Sequence, residues 1–238
     1  MKKNSIKFFK SLAIGLFVLS STQVWSQEDS GLQVGLMTSI NNNQFESAGS
    51  VFGFMAGGFA DYNYKFLNGR IGIVYDRLGG ARPDLEGLEQ PLSTTSVTFT
   101  DRRVSLHNVS VPLLVSVYYP GSEDADLKPR LTAGIAYSYT IKAIEKRDIM
   151  FEFDDNTYAR FSGDKEDVSG DYQQHHLTYM AGFGFDFNLS DGRKAYIEVL
   201  YKRGINEINK VELARRGNLG DIYTNTISIG FGTTIFKF

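Results

Sequence analysis

After residue 30, the chain alternates between apolar and polar side chains in eight separate stretches. In the clearest stretch, 173–189, the odd positions from Leu177 onward are apolar or aromatic, and the even positions other than Met180 are polar or glycine. A period of two residues is that of a β-strand with two different faces. The eight stretches are 31–40, 51–66, 69–78, 104–119, 128–143, 173–189, 194–204 and 223–238. The pattern predicts an all-β protein.

The links between these strands alternate between long and short along the chain. The long links are 41–50, 79–103, 146–172 and 206–222, and the short ones are Leu67-Asn68-Gly69, 120–127 and Ser190-Asp191-Gly192-Arg193. Asn-Gly and Asp-Gly are typical of tight hairpins. Long links at one end and short links at the other predict an eight-stranded antiparallel up-and-down barrel, with both termini at the short-link end.

The polar face of the strands indicates which side of this barrel points outward. Alternation alone also fits a soluble lipocalin-like barrel, in which the apolar face is inside. Here the polar face combines many glycines with charges of both signs, which suits a narrow lumen where small residues make room for large ones. The residues of this face are Gly35, Gly53, Gly57, Asp61, Arg70, Gly72, Asp76, Arg130, Gly134, Lys142, Gly182, Gly184, Asp186, Glu198, Lys202, Gly230 and Gly232. We therefore predict a transmembrane barrel whose apolar side chains face lipid, with the soluble exported barrel as the alternative.

Residues 1–26 have the organisation of a cleaved secretory signal peptide. Lysines precede an apolar run from Leu12 to Leu19, and small residues follow. Val24-Trp25-Ser26 then places Val at −3 and a small side chain at −1, directly before Gln27. The apolar run is shorter than the roughly 20 residues that a membrane-spanning helix needs. We expect a signal peptide at 1–26 and an outer-membrane β-barrel at 27–238.

Composition narrows the possible functions. The 238 residues carry a net charge of −2 and include no cysteine. A slightly negative net charge does not indicate the excess of basic residues with which proteins bind nucleic-acid phosphates. Without cysteine there is no disulfide, no thiolate metal site and no acylated lipoprotein anchor. We expect no nucleic-acid partner, and the sequence points to no cofactor.

Several short motifs, in a fixed order, resemble a known family. They are 53–59 (Gly-Phe-Met-Ala-Gly-Gly-Phe), 72–75 with Gly79-Gly80, 111–115, 128–134 and 181–186. Together with the export signal, the strand spacing and the terminal Phe238, they resemble the PorT-like family of small outer-membrane β-barrel domains common in Bacteroidetes. The resemblance implies a barrel in the outer membrane of a Gram-negative cell. It also implies assembly by the barrel-assembly machinery and, for some relatives, a part in a protein-secretion apparatus.

The last strand departs from the usual assembly signal of such barrels. Phe238 and Phe236 fit a terminal apolar alternation, but Thr234 and Gly232 occupy the next two positions. The apolar set then moves to Phe231, Ile229 and Ile227. This shift predicts a one-residue bulge near Thr233-Thr234.

The residues are compatible with three roles: a purely structural one, and two active ones, in catalysis or in partner binding. In the structural role the protein is a closed, filled, non-porin barrel that serves as a scaffold, because eight strands leave no sizeable pore. The first active role is that of a lipid A-modifying hydrolase, for which His107, His175 and His176 lie near the outer strand ends with Ser105 and Ser110 close to His107. No enzyme motif surrounds them, so we assign no catalytic, cofactor-binding or metal-binding residue and expect no enzyme.

The second active role is partner binding through the long external loops 79–103 and 146–172. Loop 146–172 is acidic, and Asp154-Asp155-Asn156 within it predicts the tip of a hairpin that rises above the membrane. Its carboxylates could bridge to lipopolysaccharide phosphates through divalent cations, although their spacing is not that of an EF-hand loop. The expected partners are outer-membrane lipid and lipopolysaccharide, with a possible protein partner at these loops.

Overall fold

The computed structural model describes most of the chain after residue 30. The described residues are 31–45, 49–82, 85–86, 94–120, 126–153, 155, 157–189, 193–210 and 222–238. The predicted signal peptide at 1–26 lies outside them. Within these residues, no helix has the length and apolar character needed to cross a bilayer.

The described chain forms ten β-strands and one short 3-10 helix at Ser169–Asp171. The strands are β1 (Gly31–Phe45), β2 (Ser50–Tyr64), β3 (Leu67–Ala81), β4 (Leu85–Glu86), β5 (Thr94–Tyr118), β6 (Leu127–Phe153), β7 (Tyr158–Asp167), β8 (His175–Asn188), β9 (Lys194–Gly204) and β10 (Thr224–Lys237).

Eight of the strands close into an antiparallel barrel. Neighbouring strands pair in the order β1, β2, β3, β5, β6, β8, β9 and β10, and β10 pairs with β1 to complete the ring. The start of β1 and the end of β10 lie at the end that carries the short links, since Gln33 pairs with Lys237. The predicted fold is confirmed. β4 and β7 are additional strands beyond the eight.

The inner and outer faces of the barrel wall carry the residues that the sequence pattern predicts for them. On β6, Leu131 on the outer face is 69% exposed, whereas its neighbours Arg130 and Thr132 are each 3% exposed. The same alternation holds on β8, where Phe183 is 52% exposed and Met180 is 4% exposed. An apolar exterior around a polar and glycine-rich interior is the arrangement of a barrel that sits in hydrocarbon.

Two strands continue well beyond the barrel. β5 has 25 residues and β6 has 27, whereas about 9–11 residues cross a membrane at the usual tilt. Above the barrel their ends pair with β4 and β7. We call this sheet, formed by 85–86, 94–103, 144–153 and 158–167, the outer extension. The hairpin predicted in loop 146–172 is confirmed, since Glu152 pairs with Tyr158.

Three details of the sequence interpretation are corrected. The link between β2 and β3 is the two-residue turn Lys65-Phe66, because Asn68 and Gly69 already pair with β2. The link predicted at 41–50 shrinks to 46–49, since β1 and β2 extend further than their apolar patterns. Lys142 is exposed rather than in the lumen, because a bulge at Ile141 turns both residues outward before the alternation resumes.

The bulge predicted in the last strand is present. Gly35 pairs with Thr234 and Val34 with Phe236, so that Ile235 is the extra residue. Thr234 stays in phase with Gly232 and points inward, where its hydroxyl accepts a hydrogen bond from the backbone N–H of Lys194 at 2.7 Å. The bulge that follows turns Phe236 outward, where it is 60% exposed.

Candidate functional site

A network of charged side chains fills the lumen near the short-link end. Arg130 pairs with Asp186 and Glu198, each at 2.9 Å. Arg70 pairs with Asp61 at 2.7 Å. The strands place these residues on the inner face close to the links, and all five are buried. Mutual pairing makes charge tolerable in such a place.

Aromatic rings complete this layer. The guanidinium groups of Arg70 and Arg130 lie 4.0 and 4.8 Å from the ring centroid of Tyr196, within cation–π distance. Gly232 provides the space for the Tyr196 ring, because a methyl group at that position would overlap the ring. Gly35 provides space for the ring of Phe59 in the same way. Glycine and aromatic residues therefore form matched pairs inside the barrel.

The middle of the lumen holds a small cavity of about 20 Å³. Asp76 and Lys202 line it together with apolar and hydroxyl side chains. Asn41 donates a hydrogen bond to Asp76 at 3.0 Å. A cavity of this size has room for roughly one water molecule. It is too small for an organic substrate.

An apolar cluster covers the lumen at the long-link end. It contains Phe45, Leu78, Val104, Leu106, Ala143, Val168, Tyr172, Ile208 and Ile222. The backbone N–H of Gln173 donates to the carbonyl of Ile208 at 2.7 Å, which joins the segment after β7 to the segment after β9. These two segments fold across the mouth and bury Tyr172 completely.

A buried ion cluster supports this cover. Glu145 accepts hydrogen bonds from Arg102 at 2.6 Å and from Arg82 at 3.1 Å. Burial alone would raise the pKa of Glu145, but the hydrogen bonds and charges of the two arginines outweigh it and lower the pKa. A bulge in β5 next to Asp101 accompanies the inward position of Arg102. Glu145 is therefore ionised at neutral pH and joins β6 to β5 and to Arg82, the residue directly after β3, above the barrel.

Asp148 organises the hairpin of the outer extension. Its carboxylate accepts hydrogen bonds from Arg160 at 2.6 Å, from Ser162 at 3.1 Å and from the backbone N–H of Gly163 at 2.9 Å. The hydrogen bond from Arg160 is the main reason that the pKa of Asp148 is lowered. One carboxylate on β6 thus binds three residues of β7.

Most described carboxylates of the acidic loop 146–172 have partners within the protein. Asp164 and Glu166 pair with Arg147 at 3.2 and 2.5 Å, and Asp167 pairs with Lys142 at 3.6 Å. No group of three metal-ligating side chains occurs in the described part of the chain. Asp154 lies outside it.

The three histidines lie near the outer strand ends, as predicted, but separately. The ring of His107 contacts the hydroxyl of Tyr75, His175 contacts Tyr137, and His176 contacts Thr140 inside the lumen. Ser105 instead accepts a hydrogen bond from Arg77, and Ser110 bonds to Ser138. The described residues do not bring a serine, a histidine and a carboxylate into one hydrogen-bonded set.

Sequence reasoning missed the Glu145 cluster and the contacts of Asp148. Glu145 lies beyond the bulge at Ile141, where the inner face moves to odd-numbered residues of β6, and Asp148 lies at a second register shift, between Arg147 and Ile149. In the sequence, the alternation is interrupted by the adjacent apolar pair Ala143-Ile144. It is the signal from which the change of phase could have been inferred.

A closed, filled ring of eight antiparallel strands with an apolar exterior defines the class of integral membrane β-barrels. The family model "Outer membrane protein beta-barrel domain" matches residues 11–234. The chain belongs to this family, and its location is the outer membrane. No curated protein sequence matches the chain.

Solved structures of outer-membrane barrels are similar to the chain at low sequence identity. Neisserial surface protein A is 15% identical, covers 88% of this chain and 100% of its own, and has a TM-score of 0.45. OprG from Pseudomonas aeruginosa is 14% identical, covers 87% of this chain and 97% of its own, and has a TM-score of 0.42. The outer membrane protease OmpT from Escherichia coli is 11% identical, covers 91% of this chain and 100% of its own, and has a TM-score of 0.39.

Proposed function

We propose that the chain is a closed, non-porin barrel that acts as a scaffold and presents the outer extension as a binding module outside the cell. In this role it binds a partner and catalyses no reaction. The observation that carries the proposal is the contrast between a lumen filled at three levels and a sheet that continues far beyond the lipid.

The filled lumen argues against transport through the barrel. The charged layer at the short-link end, the small central cavity and the apolar cover would each have to open for a solute to pass. Planar-bilayer recording tests this part of the proposal. We expect no steady conductance from the folded protein, and a stable, large conductance would contradict it.

The hairpin of the outer extension carries the features of a binding surface. Tyr158 and Phe161 on β7 are 63% and 60% exposed, and they lie beyond the stretch of β6 that faces lipid. Phe161 also packs edge-on against Phe151 at 5.7 Å, which limits its motion. Aromatic side chains held in place and exposed to water are typical anchors of protein interfaces.

The outer edge of β7 adds a second feature. β7 pairs with β6 on one side, and among the described residues no strand pairs with its other side. A free strand edge offers backbone donors and acceptors to an extended segment of another protein. The charged residues 164–167 on this edge disfavour indiscriminate pairing.

Photo-crosslinking in cells tests the binding role. A photoreactive phenylalanine analogue at position 161 is expected to give a discrete protein adduct, and the purified partner should bind the barrel less tightly after Tyr158→Ser. The matched control carries the analogue at Phe66, which is 50% exposed at the opposite end. The same adducts from both positions, or none from position 161, would contradict the proposal.

The PorT-like resemblance points to one form of this role, as an accessory of a protein-secretion apparatus in a Bacteroidetes cell. The identity of the crosslinked protein would decide that point, since only a secretion component would support it.

A further inference from the structure

The outer wall above the lipid-facing surface carries bases on three adjacent strands. Arg103 of β5 pairs with Lys146 of β6, and Lys146 pairs with Lys165 of β7. Residues directly opposite in an antiparallel sheet point to the same face. All three side chains are exposed. We call this row the basic ladder.

The basic ladder lies on the same face as the apolar belt. Beyond Ile141 on β6, the buried residues Ala143 and Glu145 point inward, and Lys146, which follows Glu145, points outward and is exposed. The belt ends two outward-facing rows below the ladder, where Arg77, His107 and Lys142 face outward in register. Arg103 lies four residues beyond His107, about 13 Å further along β5.

The ladder is electrostatically unfavourable by itself. Like charges directly opposite each other destabilise a sheet. Asp101 forms a salt bridge with Arg103 at 2.9 Å and so compensates its charge. Asp167 pairs with Lys142 below the ladder. Within the described part of the chain, Lys146 and Lys165 have no acidic side chain at salt-bridge distance. The acids nearest to them on β7, Asp164 and Glu166, are engaged by Arg147.

We propose that the basic ladder binds the phosphate groups of glycolipids in the outer leaflet and holds these lipids against the barrel wall. Three observations favour this occupant: the ladder faces the lipid side, it stands just above the end of the apolar belt, and its charge complements phosphate. Basic side chains at this height attract anionic lipid headgroups. This inference is independent of the partner proposed for the hairpin tip.

Titration of the purified full chain in neutral detergent, followed by native mass spectrometry, tests the inference. The probes are bisphosphorylated lipid A and the same lipid with both phosphates removed. We expect lipid A to bind and Lys146→Gln/Lys165→Gln to weaken its affinity about tenfold, since each basic side chain near the surface contributes to headgroup attraction. The conservative variant Lys146→Arg/Lys165→Arg should restore binding.

The matched control is Lys65→Gln/Lys237→Gln, which removes two exposed bases at the short-link end and should bind lipid A as the unchanged chain does. Heat-modifiable gel mobility verifies that each variant is folded. Equal binding of the two lipids, or equal losses in the two double variants, would overturn the proposal. Displacement of lipid A by inorganic phosphate at equal phosphate concentration would also overturn it, because the site would then recognise free phosphate.

Discussion

At the scale of single residues, the interior depends on complementary sizes and charges. Tyr196 is the clearest example, because its ring lies between two arginines and occupies the space that Gly232 leaves. The sequence pattern predicted this use of glycine, because glycines were concentrated on the polar face. It could not predict which ring fills which space, since that depends on partners brought together across the barrel.

Gly232→Ala should therefore destabilise the barrel. The added methyl group would overlap the Tyr196 ring, and overpacking of this kind costs roughly 1–3 kcal/mol. The measurement is the urea midpoint of unfolding in detergent, followed by gel mobility. Gly69→Ala is the control, because that position has no neighbour within 4 Å. Equal midpoints for the two variants would show that the lumen is not packed at Gly232.

Glu145→Gln should loosen the long-link end. Removing one partner of a buried ion cluster leaves the charge of Arg102 and Arg82 uncompensated, at a cost of about 3 kcal/mol. Asp101→Asn is the control, because its pair with Arg103 is exposed and such pairs contribute less than about 1 kcal/mol. Amide hydrogen exchange at Gln173 and Ile208 measures the effect, and unchanged exchange in Glu145→Gln would refute it.

The same cluster gives a pH dependence with a definite sign. The pKa of Glu145 is lower in the folded protein than its ordinary value, so its contribution is present at neutral pH and is lost as the pH falls through the lowered pKa. The difference in unfolding midpoint between the unchanged chain and Glu145→Gln should narrow in acid. A constant difference from neutral pH down to pH 3 would contradict this assignment.

At the scale of elements, the positions of the barrel strands were predictable but their full lengths were not. Alternation marks a strand only while its two faces have different surroundings. Above the membrane both faces of β5 and β6 meet water or the loop cover, and bulges near Asp101 and Ile141 change the phase. The outer extension was therefore predicted as loops, apart from the hairpin tip.

Asp148→Ala should release the hairpin without unfolding the barrel. The substitution removes the acceptor for Arg160, Ser162 and Gly163. Hydrogen exchange of residues 158–163 should increase, while that of β1 and β10 stays unchanged. Asp164→Ala, which removes a single pairing with Arg147, is the control. Equal effects of the two substitutions would show that Asp148 does not organise the hairpin.

At the scale of the whole molecule, the orientation of the apolar side chains determines both the fold and the location of the site. Apolar side chains turned outward require a filled, glycine-rich lumen, and a filled lumen leaves the external surfaces as the places where function can reside. Glycine on the polar face made this orientation predictable. The external surfaces were less predictable, because the row formed by Arg103, Lys146 and Lys165 depends on the registers of three strands.

Quenching of a single tryptophan by brominated lipid tests this orientation most directly. In the chain from Gln27 onward, which contains no tryptophan, Phe183→Trp and Phe59→Trp each place a single reporter on opposite faces, where the native side chains are 52% and 3% exposed. For folded protein in vesicles, we predict strong quenching at position 183 and little at position 59. Stronger quenching at position 59 than at position 183 would contradict the account.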